Sequence, residues 1–153
     1  MNRFYIDLLD RLQDIHEDVS KVLNGLPQEA LDWSPGPGMN TVCVIVVHLT
    51  GAERYWIGDV VGGDLSGRDR GEEFRAWGWS KEDLKARLEK TLAHTEMVFE
   101  KLTLADLEKM CISHRDGREF TAGWSIAHAL DHAALHTGHL QLIHQLWDQR
   151  QAD

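Results

Sequence analysis

Cysteine is scarce in this chain. Cys43 and Cys111 are its only two, far apart and outside any CxxC spacing, which excludes a disulfide scaffold and a cysteine-based zinc site. Long apolar runs are also missing. The longest, Val42 to Val47, is six residues, whereas a spanning helix needs about 20, so no transmembrane helix is predicted. The opening Met1-Asn2-Arg3-Phe4-Tyr5-Ile6-Asp7 places an acid where a signal peptide carries its uncharged apolar stretch. A cleaved signal is therefore not expected, and a cytoplasmic setting fits best. Basic charge is in deficit: 16 Lys and Arg against 25 Asp and Glu leave a net charge of −9, which repels nucleic acid and anionic membrane surfaces. Arg68-Asp69-Arg70 and Arg115-Asp116-Gly117-Arg118 each contain an acid and read as solvated loops rather than a phosphate-tracking stripe. No repeat or low-complexity tract is present. With 42% apolar and 27% charged residues over 153 positions, the composition is that of one ordinary globular domain spanning residues 1–153.

The apolar periodicity is helical throughout. Tyr5, Leu8, Leu9, Leu12, Ile15, Val19, Val22 and Leu23 recur at three- and four-residue intervals, predicting an amphipathic helix over about residues 3–23 that Gly25 ends. Pro27 to Trp33 reads as a short helical turn, and Ser34-Pro35-Gly36-Pro37-Gly38 as a tight loop. Asn40 or Thr41 is placed to cap a second helix running to about Val61. Its β-branched opening resembles a strand, but the apolar character continues through Leu49, Ala52, Tyr55, Trp56 and Ile57, longer than a strand of about five or six residues. Gly62 to Gly78 is rich in glycine and charge and reads as a long exposed crossover anchored by Trp77 and Trp79. Ser80 with Asp83 starts a third helix with the stripe Leu84, Leu88, Leu92, Val98 and Leu102. Met110 to Gly123 holds the turn dipeptide Asp116-Gly117, compatible with a small hairpin or a loop. A fourth helix runs from about Trp124 to Trp147. The predicted fold class is all-α, a four-helix bundle with a long crossover connection.

Histidine is the residue in excess: nine in all, five of them between His128 and His144. With His132 set to zero, a rotation of about 100° per residue puts His136 near +40°, His128 near −40° and His139 near −20°. Those four share one face, and His144, about 120° away, does not. Only neighbouring turns bring two imidazoles to one ion, so the usable pairs are His128/His132, His132/His136 or His136/His139. A third ligand must come from another helix. His48, in the apolar pattern of the second helix, is the candidate, with Gly51 and Ala52 leaving room on its face and Tyr55 in register to line a cavity. Three imidazoles leave a position open for water or substrate, the catalytic rather than the closed structural arrangement.

The segments Trp33 to Asn40, His48-Leu49-Thr50-Gly51-Ala52-Glu53-Arg54-Tyr55-Trp56 and Trp124 to His139 resemble the DinB/YfiT-like family of small metal-binding four-helix bundles, over almost the whole chain. The resemblance implies that His48, His132 and His136 hold a divalent metal, with zinc, nickel, manganese and iron not distinguished. It also implies an unusual helix order with a long crossover, and pairing as a homodimer. Characterised relatives include thiol-dependent transferases and a maleylpyruvate isomerase, so a low-molecular-weight thiol is an implied second cofactor. Where many relatives have His-Arg-Gly-Gln, this chain has His136-Thr137-Gly138-His139, so the role of that arginine is not carried over.

The functional reading is a metal-dependent transferase or hydrolase whose three-histidine site activates a thiol or water to attack a small electrophile. The small molecule is then its partner, with nucleic acid and membrane excluded. The alternative is a non-catalytic metal-binding or stress-related interaction module, in which metal only ties two helices together. No general base is assigned, because Asp10, Glu17, Glu53 and Asp131 lack diagnostic spacing. His128 and His139 read as pocket-lining or plain packing residues, and His16, His94 and His114 as surface or structural ones. Cys43, about 140° around the helix from His48, belongs to the core, and Cys111 sits in a loop without a basic activator. The six tryptophans read as packing anchors, and the loops Gly62–Gly78 and Met110–Gly123 as the borders of a substrate cleft.

Overall fold

The computed structural model describes residues 1–152 and the side chains of residues 1–150; Asp153, the end of the expected 1–153 domain, lies outside the described residues. Asn2 caps α1 (Arg3–Gly25) by accepting from the Phe4 amide. The helix ends at Gly25, two residues beyond the expected Leu23, because Leu26 precedes Pro27 and is extended (φ −100°, ψ 144°), the conformation that the proline ring imposes on its predecessor. Gly25 marks the stop, as expected, and also admits a neighbour: a Cβ there would strike the His144 ring. A 3₁₀ turn (Gln28–Asp32) follows as expected. Thr41 caps α2 (Val42–Glu53), which is buried along its whole length. Its β-branched opening is thus a core helix, not a strand. At Arg54 the helix widens into a π-helical segment, Arg54–Val61, a form that often marks functional regions.

The crossover is less exposed than its composition suggests. It contains a one-turn helix, α3 (Arg70–Glu73), capped by Asp69, and Glu73 is buried. Arg68, expected in a solvated loop, keeps only 10% of its side chain exposed because it pairs with Glu73. Trp77, expected as an anchor, is 73% exposed, and only Trp79 packs against the core. Ser80 caps α4 (Lys81–Phe99); Leu102 falls beyond that helix. After a 3₁₀ turn at Leu104–Glu108, β1 (Met110–Ile112) and β2 (Glu119–Thr121) form an antiparallel hairpin with Cys111 opposite Phe120. Gly117 supplies its left-handed turn position (φ 70°). Cys111 therefore lies in a strand, where burial raises its thiol pKa. α5 (Ala122–Ala152) starts directly from β2 and runs beyond the expected Trp147.

The helices form a four-helix bundle in which α1 and α2 each lie between α4 and α5, so α1 and α2 face each other across the diagonal. Thr95 on Glu53 and Arg87 on Thr50 show that α2 and α4 run parallel. The chain must therefore return along the bundle between them, which is the physical reason for the long crossover. α1 runs antiparallel to α4: Tyr5 Oη donates to Thr103 O at 2.8 Å at one end, and Lys85 bonds Asn24 at the other. The core is split into two apolar clusters. One gathers Leu23, Leu31, Val46, Leu49, Leu84 and Leu140, and the other Tyr5, Leu12, Ile57, Phe99, Ile126 and Ala133. At the junction sits a buried polar trio. His16 Nε2 donates to Glu53 Oε2 at 2.7 Å, and Thr95 Oγ1 to Glu53 Oε1 at 2.8 Å. No helix among the described residues is long and apolar enough to cross a membrane.

Candidate metal centre

α2 and α5 run antiparallel as neighbours, and this brings His48 opposite the i, i+4 pair His132 and His136. His48 Nε2 and His136 Nε2 each lie 3.2 Å from His132 Nε2, and one ligand atom from each residue falls within 4.8 Å of the other two. Nitrogens 2.0–2.1 Å from a common ion stand that far apart at a ligand angle of about 100°. His48 is buried and the other two are partly buried, so the cluster has one accessible side.

The rings are held in the ligand form. Burial, reinforced by the neighbouring imidazoles, lowers His132 to about 3 and His136 to about 4, and both are neutral at pH 7. His48 Nδ1 donates to Glu73 Oε2 at 2.8 Å, which leaves its Nε2 lone pair facing the other two histidines. Glu73 is clamped in turn: Arg68 Nε donates to Oε1 at 2.6 Å and Nη2 to Oε2 at 2.8 Å. Burial pushes the Glu73 carboxyl up, but the bonds from Arg68 and His48 outweigh it and hold the group below the usual carboxylate range. Three ring nitrogens therefore converge, with the lone pair of His48 Nε2 aimed at the other two, and the donor set fits a divalent cation.

Other expected residues take supporting places. His139 is exposed, with Nδ1 3.4 Å from His136 Nδ1. His128 stacks on Trp124 with ring centroids 4.9 Å apart, and Trp124 stacks on Phe120, so an aromatic ladder leads to the cluster. Burial lowers the His128 pKa. Tyr55 accepts from the Arg115 amide at 3.1 Å and bonds Ser113 Oγ at 2.9 Å. It lines a cleft of about 360 Å³ with Arg68, Arg70 and Arg115, so both expected loops border that cleft. Glu53, considered as a base, is spent on His16 and Thr95, and Asp131 is exposed. His16 is thereby a buried structural residue, and His94 bonds Asp64 at 2.9 Å. Cys43 is fully buried, its thiol pushed up to about 11 by burial.

Sequence reasoning missed Glu73 and Arg68. No spacing ties a carboxylate in the crossover to a histidine 25 positions earlier. The one local hint is Gly51, three residues after His48: a Cβ there would overlap the Glu73 carboxylate, so glycine admits the acid to the helix surface.

The sequence profile described as the DinB superfamily matches residues 11–140. No curated protein matches the chain. Among solved structures, a conserved protein from Enterococcus faecalis superposes with a TM-score of 0.79 at 15% identity, over 95% of this chain and 98% of that one. YfiT from Bacillus subtilis, described as a probable metal-dependent hydrolase with an unusual four-helix bundle topology, superposes at 0.76 with 12% identity, over 95% and 89%. The mycothiol-dependent maleylpyruvate isomerase superposes at 0.65 with 15% identity, over 92% of this chain and 63% of its own length.

Proposed function

The chain belongs to the DinB superfamily, and from that premise we propose that it is a metal-dependent enzyme in which His48, His132 and His136 hold a divalent ion. The reaction class is attack of a low-molecular-weight thiol or of water on a small electrophile, as a transferase or hydrolase. The observation that carries this reading is the convergence of three Nε2 atoms with Glu73 behind one of them. A divalent ion bound there supplies a Lewis acid that makes a thiol or water nucleophilic near neutral pH.

The chain's own residues do the remainder. Glu73 keeps the proton of His48 on Nδ1, and Arg68 keeps Glu73 ionised. His132 and His136 stay neutral because they are buried. No fourth His, Cys, Asp or Glu joins the group among the described residues. Three protein donors leave room for an exogenous ligand, which favours catalysis over a closed structural site. Phe74, 4.8 Å from the His48 ring, and the Phe120–Trp124–His128 ladder supply apolar walls beside the cluster that limit the water around a bound electrophile. Of the ions considered, zinc, nickel and iron suit this all-imidazole set better than manganese, which prefers oxygen donors.

Elemental analysis of protein purified without added metal tests the reading, comparing wild type with His48→Ala and His132→Ala. About one metal per chain, lost in both variants, is the expected result, after which thiols and electrophiles are screened on the loaded protein. Absence of metal from the wild type, together with no uptake of zinc, nickel, manganese or iron on titration, overturns it.

A further inference from the structure

A cleft larger than the one beside Tyr55 lies apart from His48, His132 and His136. It holds about 790 Å³ and opens between α2 and α4 beneath the crossover, lined among others by Thr50, Arg87, Lys90, Trp77 and Trp79. Glu73 separates the two regions, since it lines this cleft while bonding His48 on its far side. The cations in the cleft differ in how they are neutralised. Arg54 pairs with Asp59 and Asp64, Arg68 with Glu73, and Arg75 with Glu72. Arg87 and Lys90 make no ion pair among the described residues. Arg87 is half-buried, and its only partners are neutral: Nε donates to Thr50 Oγ1 at 2.7 Å and Nη2 to Val47 O at 3.4 Å. Burial, with a smaller contribution from Arg68, lowers its pKa against the opposing pull of Glu73, which touches it in neither a hydrogen bond nor an ion pair.

In a chain with nine more acids than bases, a half-buried guanidinium left without a carboxylate is a costly arrangement unless a ligand supplies the anion. Its planar fork suits a carboxylate. The guanidinium also lies over the Trp79 ring, 5.7 Å from its centroid, and Trp77, 73% exposed, stands at the cleft. Two indoles beside an unpaired cation suit a flat apolar body carrying the anionic group. Asp69, Glu72 and Glu73 also line the cleft, which disfavours a doubly charged phosphate.

We propose that the cleft between α2 and α4 is a second binding site, taking a small monocarboxylate with a flat apolar body, its carboxylate on Arg87 and Lys90 and its body against Trp77 and Trp79. The site is independent of whether the histidine cluster holds metal.

The test uses 2-naphthoate, titrated calorimetrically into the full chain as purified and into its His132→Ala form. The expected result is saturable one-to-one binding of equal strength in both, weakened about tenfold or more in Arg87→Met, and not displaced by inorganic phosphate at the same concentration. Neutral 2-naphthalenemethanol should fail to bind. Lys90→Met and Trp77→Ala, both at exposed positions, should each weaken binding, and they carry the test if Arg87→Met does not fold. Absence of saturable binding, binding unchanged in both of those variants, displacement by phosphate, or loss of binding in His132→Ala would each overturn the proposal.

Discussion

Glu73 Oε2 lies 2.8 Å from His48 Nδ1, so a carboxylate carried on the crossover decides which nitrogen of a buried α2 histidine faces α5. The clamp from Arg68 leaves two charged side chains in line behind the cluster. That arrangement converts a loop into part of the candidate metal centre.

Removing the carboxylate should therefore weaken metal binding without touching a ligand. Glu73→Ala is expected to reduce affinity about 10–100-fold, measured by competition with a chelator of known affinity. Glu73→Gln, which can still accept from His48 through its amide oxygen, should lose less. Equal affinity in all three proteins would show that the orientation of His48 is set elsewhere.

Gly51→Ala tests the same relationship from the other side. The added Cβ would overlap the Glu73 carboxylate, the mobile end of its side chain, and displace it rather than the helix backbone. Alanine is the better helix former by about 0.5–1 kcal/mol, so thermal stability should change little while metal affinity falls as in Glu73→Ala. A variant with wild-type affinity would mean that the carboxylate has another way to reach His48.

The pH dependence of the metal-free chain follows from His132 and His136. An unfolded histidine protonates near 6.5, but burial holds these two at about 3 and about 4. Between those values the unfolded state binds more protons than the native state, so native stability rises with pH across the interval and is lost as pH falls from about 6.5 toward 4. The urea midpoint should drop over that range in wild type. In the His132→Leu/His136→Leu double variant that part of the drop should be absent. Glu73 and Asp116, whose carboxyls are held low, contribute a further loss at more acidic pH in both proteins.

His16 and Glu53 form a pair with side-chain exposures of 6% and 0%, joining helices that lie diagonally across the bundle. His16→Ala leaves Glu53 buried with Thr95 alone and is expected to destabilise by about 3–5 kcal/mol, read from urea unfolding. Metal content should stay at the wild-type level, because neither residue belongs to the histidine cluster. Loss of metal along with stability would instead tie the trio to the site.

Much of this was legible in the residues themselves. The stripes from Tyr5 to Leu23 and the capping residues Thr41 and Ser80 located the helices, because a 3.6-residue period is a local property that packing leaves unchanged. The same period put His132 and His136 on one face of α5. The hydrophobic length past His48 identified a core helix where β-branching alone suggested a strand. The widening at Arg54 was not legible: no residue spacing marks it, and of the contacts Arg54 makes there, Asp59 lies within the segment while the carbonyl of Asp64 comes from the crossover.

The helices and the placement of His132 and His136 on one face of α5 could be read along the chain, and His48 stood out there as the candidate third histidine. That Arg68 and Glu73 leave solvent to stand behind His48, that His16 meets Glu53 across the bundle, and that Arg87 lines a cleft without an ion-pair partner depends on how the elements pack. The physical reason is the difference between the two kinds of information. Spacing along a helix is set by the backbone ladder, whereas the path of a glycine- and charge-rich crossover is set by which buried groups it can satisfy, and those groups come from elements far away in sequence.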